Sequence, residues 1–450
     1  MGRIFGTDGA RGIANTELTC ELAMQIGRAA AFVLTKHLSE KPMILIGRDT
    51  RISSKMLESA LIAGICSVGA DTTSIGVIPT PGVAYLVQRY HADAGIMISA
   101  SHNPVEFNGI KIFQGDGYKL SDEIEEEIES LILDNPEQIP LKTGGDLGRS
   151  FARRSAADDY IHYIASTIEG DLSGMKIAID CANGSASATA EQLFKHLHAQ
   201  TFILHAEPDG TNINENCGST HMEDLQTFVK SHRCTCGLAF DGDADRCLAV
   251  DENGDLIDGD QMIAIFAKSL KEKGQLSNNT AVVTVMTNLG FFRFAEKNEI
   301  QTVATQVGDR YVLENMLENG HQIGGEQSGH IIFKQFATTG DGQLSAVQLL
   351  SIMKQEDIPL SILASCMEHY PQVLINIAAN AAQKQDYLND KELIDSIHKR
   401  DDSLGKEGRI LVRPSGTEPI IRIMLEGKNY DQIAAIAQEI AQDIMERRKE

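Results

Sequence analysis

Three aspartates at alternate positions could bind a metal ion. Residues 241–245 have the sequence Asp-Gly-Asp-Ala-Asp. In an extended loop alternate side chains lie on one face, so all three carboxylates can reach one cation, and oxygen ligands suit Mg²⁺ or Ca²⁺. A solvated acidic turn is the first alternative. An EF-hand is the second, but Arg246 stands where its turn needs glycine, and the flanking segments are typical of strands.

A polar turn at residues 99–104 (Ser-Ala-Ser-His-Asn-Pro) carries a candidate nucleophile. Ser101 beside His102 would suit a hydrolase, but neighbours in sequence rarely face each other across a turn. The sequence also has no Gly-x-Ser-x-Gly elbow. Ser101 is therefore better interpreted as a phosphoryl acceptor than as an acyl nucleophile. An ordinary turn after a strand is the alternative.

Two further loops have the composition of ligand-binding segments. Residues 413–417 (Arg-Pro-Ser-Gly-Thr), with Arg422 downstream, combine guanidinium groups, hydroxyls and a glycine that lets backbone N–H groups converge on an anion. Residues 324–330 (Gly-Gly-Glu-Gln-Ser-Gly-His) combine a carboxylate with a hydroxyl, which suits a polyol such as a sugar. A surface turn and a glycine-rich hairpin are the respective alternatives. No P-loop or dinucleotide-binding glycine motif is present, so a nucleotide is not the indicated ligand.

The apolar pattern predicts short strands alternating with helices. Strands are predicted at residues 43–46, 95–98, 175–180, 202–205, 237–240 and 281–286, and helices at 17–38, 56–68, 122–129, 188–197, 222–232, 261–270 and from 430 onwards. Residues 134–150 are typical of a linker. Since ligands bind at the carboxyl ends of strands in open α/β sheets, the loops at 99–104, 241–245 and 324–330 could converge on one cleft.

The composition excludes several classes of protein. The chain has 450 residues and a net charge of -23, which disfavours non-specific binding to nucleic acid and to anionic membranes. No apolar run reaches the length of a membrane span, and the eight cysteines are scattered. His232, Cys234 and Cys236 lie close in sequence, but without a second pair buried thiols are favoured over zinc. A reduced, cytoplasmic protein that does not bind nucleic acid or membranes is expected.

The four loops, in this order, resemble those of the α-D-phosphohexomutase superfamily across essentially the whole chain. That superfamily has a Ser-His-Asn-Pro phosphoserine loop, an Asp-Gly-Asp-x-Asp-Arg metal loop, a Gly-Glu-x-Ser-Gly sugar loop and an Arg-x-Ser-Gly-Thr phosphate loop. Residues 5–12 (Phe-Gly-Thr-Asp-Gly-Ala-Arg-Gly) and 307–312 (Val-Gly-Asp-Arg-Tyr-Val) resemble in particular the branch that acts on glucosamine phosphates.

The resemblance implies an α/β fold in which three similar mixed-sheet domains and a smaller C-terminal α+β domain surround a central cleft. The four domains are expected at residues 1–150 with the serine loop, 151–254 with the metal loop, 255–368 with the sugar loop and 369–450 with the phosphate loop. Length alone, at about 150 residues per domain, predicts three. The tail adds a fourth because it carries its own phosphate loop.

The resemblance also implies an activity: interconversion of glucosamine 6-phosphate and glucosamine 1-phosphate through phosphorylated Ser101 and a glucosamine 1,6-bisphosphate. This reaction is a step toward UDP-N-acetylglucosamine and peptidoglycan precursors. The expected cofactors are one Mg²⁺ per chain and glucosamine or glucose 1,6-bisphosphate as activator, and the expected partner is a small sugar phosphate. A homodimer is left open. The same chemistry on mannose or glucose phosphates is the alternative activity.

Candidate site residues follow from the resemblance and from charge. A phosphoserine beside three aspartates leaves the site negative even with a divalent cation, so a sugar phosphate needs local cations. Lys111 is the candidate for acid/base chemistry or for stabilising the transferring oxygen, and Arg246 and His330 are weaker candidates. The candidate catalytic residues are Ser101, Lys111, His102, Arg11, Arg246 and His330. Metal ligands are Ser101, Asp241, Asp243 and Asp245; sugar-binding residues are Glu326, Ser328, Gly325, Asp309 and Arg310; phosphate-binding residues are Arg413, Ser415, Gly416, Thr417 and Arg422.

Two rival classes fit less well. A non-catalytic phosphosugar sensor would be expected to have lost the serine or an aspartate, and all are present. A calcium-binding module is disfavoured by Arg246 and by the predicted flanking strands.

Overall fold

The computed structural model describes residues 2–6, 8–38, 40–415 and 419–447. The strands are β1 (Phe5–Gly6), β2 (Gly9–Ile13), β3 (Met43–Arg48), β4 (Asp71–Val77), β5 (Ala94–Ile98), β6 (Phe107–Gln114), β7 (Ser150–Ala152), β8 (Lys176–Asp180), β9 (Gln200–Leu204), β10 (Cys236–Phe240), β11 (Cys247–Val250), β12 (Leu256–Ile257), β13 (Thr280–Thr284), β14 (Gln301–Thr305), β15 (Ile323–Gly325), β16 (Ile331–Phe333), β17 (Gln372–Ala378), β18 (Gly408–Pro414) and β19 (Ile420–Gly427). The helices are α1 (Cys20–Thr35), α2 (Ile52–Ser67), α3 (Thr80–Arg89), α4 (Asp122–Leu133), α5 (Ala156–Ala165), α6 (Ala190–His196), α7 (Glu223–His232), α8 (Gly259–Glu272), α9 (Leu289–Lys297), α10 (Asp309–Asn319), α11 (Gly342–Glu356), α12 (Leu360–Ala364), α13 (Ala381–Asn389), α14 (Lys391–Leu404) and α15 (Tyr430–Glu446).

The first sheet is mixed and has the strand order β1-β2-β6-β5-β3-β4-β7. Strand β3 lies parallel to β4 and β5, whereas β6 runs antiparallel to β5 and β2. Strand β5 is buried along its whole length, as expected of a strand covered on both faces. Strand β7, which begins at the end of the predicted linker, pairs with β4, so the first sheet extends to Ala152.

The second and third sheets repeat this mixed pattern. Their strand orders are β12-β11-β10-β8-β9 and β14-β13-β15-β16. In each sheet parallel strands are followed by an antiparallel hairpin, formed by β10 with β11 and by β15 with β16. The loops of these two hairpins are the predicted metal and sugar loops.

Helices α1 and α2 pack closely because each carries a glycine at their contact. A Cβ at Gly27 would lie 2.8 Å from the Leu61 carbonyl oxygen, and one at Gly64 would lie 2.1 Å from that of Met24. The buried face of α1 is made mainly of alanine. Small residues thus let these helices pack against each other on the first sheet.

The chain divides into two compact units. The first comprises residues 1–286 and 300–366, and the second comprises residues 287–299 and 367–450. The second unit contains an antiparallel sheet of order β17-β19-β18, against which α15 packs. Helix α9 belongs to it because the buried Glu426 accepts a hydrogen bond from the Leu289 backbone N–H (3.0 Å).

The expected fold class is confirmed. Three mixed α/β sheets are followed by a C-terminal α+β part, and the predicted strands and helices are present with ends that shift by a few residues. Cys234 and Cys236 are buried, and burial raises the pKa of both thiols, as expected of core cysteines. Across the described residues, no helix combines the length and the apolar character that a membrane crossing requires.

Candidate active site

Ser101 lies in the turn that follows β5, with its side chain against the aspartate loop. It is 2% exposed and adopts a left-handed backbone conformation (φ 52°). Its Oγ donates a hydrogen bond of 2.6 Å to Asp241 Oδ2. The predicted convergence of the serine and aspartate loops is therefore present, between residues 140 positions apart in sequence.

The three aspartates cluster as the alternate spacing predicts. One carboxylate oxygen from each of Asp241, Asp243 and Asp245 lies within 4.8 Å of the others, and all three side chains are buried. The loop joins the antiparallel strands β10 and β11, so its flanks are strands and not the helices of an EF-hand. Gly242 brings the serine loop close, since a Cβ there would lie 2.5 Å from the Ser101 carbonyl oxygen.

This cluster fits a cation. Asp243 Oδ1 and Asp245 Oδ1 are buried and accept no hydrogen bond from the described part of the chain. Burial, together with the charges of Asp245 and Asp243, raises the pKa of Asp241 well above its ordinary value. Carboxylate oxygens that lack donors in a buried site are ligands suited to a hard divalent ion. The three buried aspartates could thus hold a metal ion.

Lys111, on β6, supplies a buried positive charge beside the aspartates. Its Nζ lies 2.9 Å from Asp243 Oδ2, 3.2 Å from Asp245 Oδ2 and 2.9 Å from Asp8 Oδ2. Burial alone would lower the pKa of Lys111, but the carboxylates of Asp243, Asp8 and Asp245 outweigh burial and raise it well above its ordinary value. The lysine is therefore held protonated at neutral pH.

Two arginines and a neutral histidine border Ser101. Arg246 Nη1 donates to His102 Nδ1 (3.2 Å), and His102 Nδ1 lies 3.3 Å from Ser101 Oγ. Burial and the charges of Arg246 and Arg11 lower the pKa of His102 to about 4, so its ring is neutral and accepts at Nδ1. Arg11 donates to Asp8 Oδ2 (2.9 Å) and to Asn103 Oδ1 (3.2 Å).

His330 contacts two of the predicted site carboxylates. Its Nδ1 lies 3.7 Å from Asp245 Oδ1, and its Nε2 lies 3.5 Å from Asp309 Oδ2. Burial lowers the pKa of His330, but Asp245 and Asp309 outweigh burial and raise it. The Gly340 N–H donates to Nε2 (3.1 Å), so the neutral ring carries its proton on Nδ1, facing Asp245. Contacts on both nitrogens fix the ring among these carboxylates.

The sugar loop is a hairpin between β15 and β16. Glu326 Oε1 accepts a hydrogen bond from the Gly308 N–H (3.0 Å), and Ser328 Oγ is buried with no partner. Gln327 instead donates to Asp258 Oδ2 (3.2 Å) at the start of α8. Gly325 pairs with Ile331 in the hairpin. The loop thus places Ser328 as an unpartnered hydroxyl, whereas Gln327 has a structural contact.

Asp309 and Arg310, at the start of α10, form ion pairs with the first sheet's segment of the chain. Asp309 Oδ2 lies 2.6 Å from Lys119 Nζ, and Arg310 Nη1 lies 2.5 Å from Asp122 Oδ1. Arg310 Nε also donates to Glu314 (3.0 Å). Both predicted sugar-binding residues therefore have protein partners in this structure.

The predicted phosphate loop lies in the second compact unit. Arg413 on β18 stands directly opposite Arg422 on β19, and Arg413 Nε is buried without a hydrogen-bond partner among the residues that the structure describes. Burial and the charge of Arg422 lower the pKa of Arg413. Two neighbouring guanidinium groups offer several N–H donors, so the pair fits a phosphate. Lys384 donates to the Ser415 carbonyl (2.6 Å), and the predicted Gly416 and Thr417 lie outside the described residues.

Sequence reasoning missed Asp8 and Lys119 as site residues. Asp8 bridges Lys111, Lys119 and Arg11, and these cations outweigh burial and hold its pKa below the ordinary range. Burial lowers the pKa of Lys119, but Asp309 and Asp8 raise it overall. The signals for Asp8 were its place inside the 5–12 motif and three residues before Arg11. Lys119 follows a turn after β6 and has no motif of its own.

Models of protein families match four consecutive parts of the chain. They describe the phosphoglucomutase/phosphomannomutase alpha/beta/alpha domains I, II and III, at residues 2–138, 158–254 and 258–370, and the C-terminal domain, at residues 374–443. The chain belongs to the phosphoglucomutase/phosphomannomutase family. The resemblance of the four loops is thereby confirmed.

Individual proteins of known name or structure are similar to this chain. A protein of Acetivibrio thermocellus named phosphoglucosamine mutase is 56% identical over 447 residues, which cover 99% of this chain and 100% of the relative. A phosphoglucomutase/phosphomannomutase family protein of Burkholderia thailandensis shares the fold (TM-score 0.82, 24% identity, 99% of this chain and 97% of that one). So does the Aspergillus fumigatus N-acetylphosphoglucosamine mutase in complex with GlcNAc-6P and magnesium (TM-score 0.65, 17% identity, 97% and 94%). The chain is an enzyme of the phosphosugar mutase class, as expected.

Proposed function

We propose that this chain interconverts glucosamine 6-phosphate and glucosamine 1-phosphate, with Ser101 as the phosphorylated residue and glucosamine 1,6-bisphosphate as the intermediate. The observation that carries the proposal is the contact of Ser101 Oγ with Asp241 (2.6 Å) inside a buried group of three aspartates. The high identity to a protein named phosphoglucosamine mutase supports the amino sugar as substrate.

The proposed reaction transfers one phosphoryl group in each direction. Starting from glucosamine 6-phosphate, the bond between phosphorus and Ser101 Oγ breaks as the sugar O1 bonds to phosphorus, and the proton of the O1 hydroxyl passes to Ser101 Oγ. The resulting bisphosphate reorients in the site, its 6-phosphoryl group passes back to Ser101 Oγ, and the proton of the Ser101 hydroxyl passes to O6. The transition state of such a transfer is loose, so catalysis rests on positioning and charge neutralisation.

The residues around Ser101 suit those two tasks. Lys111 is held protonated by three carboxylates, which supports a role in stabilising the transferring oxygens over a role as general base. Arg246 and Arg11 add positive charge next to the serine turn through their contacts with His102 and Asn103, and the neutral His102 accepts from Arg246. His330 orients Asp245 and Asp309.

We assign Mg²⁺ to Asp241, Asp243 and Asp245, with Ser101 as a further ligand. When bound, this ion supplies positive charge beside the transferring phosphoryl group. The close approach of the three carboxylates supports the assignment, and so do Asp243 Oδ1 and Asp245 Oδ1, for which the described residues provide no hydrogen-bond donor. We assign Glu326 and Ser328, with Gly325, Asp309 and Arg310, to the sugar. Arg413, Ser415, Gly416, Thr417 and Arg422 are assigned to the phosphate group that is not transferred.

Substrate preference tests the proposed function. Glucosamine 6-phosphate should give a kcat/KM at least about tenfold higher than glucose 6-phosphate or mannose 6-phosphate, since both of these carry a hydroxyl at C2 and a site that binds the amine is left with poorer contacts there. Coupled assays with the three sugars, each primed with its own 1,6-bisphosphate, measure this ratio. A higher kcat/KM for either neutral sugar would assign the chain to phosphoglucomutase or phosphomannomutase activity instead.

A further inference from the structure

A buried ion pair lies directly beneath the serine turn. Asp49 and Arg51 follow β3, and both side chains are 0% exposed. Arg51 Nε donates to Asp49 Oδ2 at 2.8 Å. Burying two charges is costly, and such a pair is a poor source of stability compared with apolar packing. Its position beneath Ser101 points to a role in geometry.

All five N–H groups of Arg51 have partners: three of them bond the serine turn, a fourth bonds the first residue of β6, and the fifth bonds Asp49. Nη2 donates to the carbonyls of Ser101 (2.9 Å) and Asn103 (2.8 Å). Nη1 donates to those of Pro104 (2.5 Å) and Phe107 (3.0 Å). One planar, rigid group thus sets the positions of four carbonyls in or just after the loop that carries Ser101.

The Asp49–Arg51 pair is also linked to the backbone N–H of Ser101, through the side chain of Ser99. The Ser101 N–H donates to Ser99 Oγ (3.1 Å), and Ser99 Oγ donates to Asp49 Oδ2 (2.6 Å). The hydrogen bonds therefore form a closed ring: Ser101 N–H, Ser99, Asp49, Arg51 and the Ser101 carbonyl. We call this ring the Asp49–Arg51 circuit.

The backbone of Ser101 needs such support. Its φ of 52° is a left-handed conformation that a residue with a Cβ seldom adopts and that persists only where the surroundings fix it. Asn214 Nδ2, from the second sheet's segment, donates to the same two carbonyls, of Ser101 (2.9 Å) and Asn103 (3.2 Å). Arg51 and Asn214 together thus hold the backbone conformation of Ser101.

We propose that Ser99, Asp49 and Arg51 are positioning residues that fix the Ser101 backbone and aim its Oγ for phosphoryl transfer. This inference rests on the proposed function of Ser101. Transfer requires the reacting atoms to be aligned closely, and a displacement of about 1 Å can cost 100-fold in rate. Loosening the circuit should therefore lower kcat and leave sugar-phosphate affinity largely intact.

Ser99 and Ser54 form a matched pair for the test. Both are fully buried and both donate to Asp49 at 2.6 Å, but Ser54 bonds Oδ1 and lies outside the circuit. Ser99→Ala should lower kcat about 10- to 100-fold with KM within about twofold, and it should slow phosphorylation of Ser101 by glucosamine 1,6-bisphosphate in a single turnover. Ser54→Ala should lower the melting temperature similarly but keep kcat within about twofold.

Arg51→Lys serves as a second variant, since it keeps the charge beside Asp49 and loses the fork that holds the carbonyls. It should reproduce the fall in kcat with little change in KM. Equal kcat values for Ser99→Ala and Ser54→Ala would overturn the proposal, and so would a Ser99→Ala protein that unfolds while Ser54→Ala folds. A wild-type protein without mutase activity would instead refute the proposed function.

Discussion

Ser101→Ala is expected to have no measurable mutase turnover and to keep its affinity for sugar phosphates. The substitution removes the only atom of this residue that can accept the phosphoryl group. The rest of the site remains, because Lys111 and the aspartates contact each other independently of Ser101. Steady-state assays measure the loss, and isothermal titration with glucosamine 6-phosphate measures the retained binding.

Ser59→Ala provides the matched control, since Ser59 is an exposed residue of α2 that bonds only within its own helix. It should be as active as the unaltered protein. Mutase rates near the wild-type value in Ser101→Ala would show that another residue carries the phosphoryl group. Loss of both turnover and binding would mean that Ser101 shapes the sugar-phosphate site itself, contrary to its assignment.

Removal of divalent cations is expected to abolish activity, and Mg²⁺ is expected to restore it. The three carboxylates of the metal loop are buried, and two of their oxygens accept no hydrogen bond. Without a cation, the phosphoserine and these aspartates repel each other and the incoming substrate, which should cost at least about 1000-fold in rate. Activity measured after dialysis against a chelator, and again after Mg²⁺ is added, tests this directly.

An aspartate variant tests whether the Mg²⁺ requirement arises at the metal loop or elsewhere in the protein. Asp243→Asn should raise the Mg²⁺ concentration needed for half-maximal activity by at least about tenfold, since an amide is a weaker ligand than a carboxylate. Asp146→Asn, at an exposed position, should leave it unchanged. Full activity after complete chelation would remove the metal role of the loop.

The local pattern of the sequence was sufficient to predict most strands and the loops that follow them. Strand β5 is a short apolar run ending in a polar turn, and the alternate aspartates share one face because their loop is extended between two strands. The contact of these aspartates with Ser101 was predicted from the rule that ligands bind at the carboxyl ends of strands in open α/β sheets.

The contacts that orient the site could not be predicted in this way. Lys119 reaches Asp309 across 190 positions, and Arg51 reaches Pro104 and Phe107 across more than 50. Neither residue belongs to a motif whose spacing signals its partner. Likewise, α9 belongs to the second compact unit because Glu426 accepts from Leu289, a contact invisible in the local pattern. Such pairings depend on how the sheets pack, and the packing of the sheets cannot be predicted from the local pattern of a single sequence.

Intact mass before and after incubation with glucosamine 1,6-bisphosphate tests the central claim most directly. Dephosphorylated protein should gain the mass of one phosphoryl group, and peptide mapping should place that group on Ser101, whose Oγ lies against Asp241 in the metal loop. The Ser101→Ala variant should gain nothing. An unchanged mass of the active protein, or a phosphoryl group mapped to any other residue, would contradict the proposed mechanism.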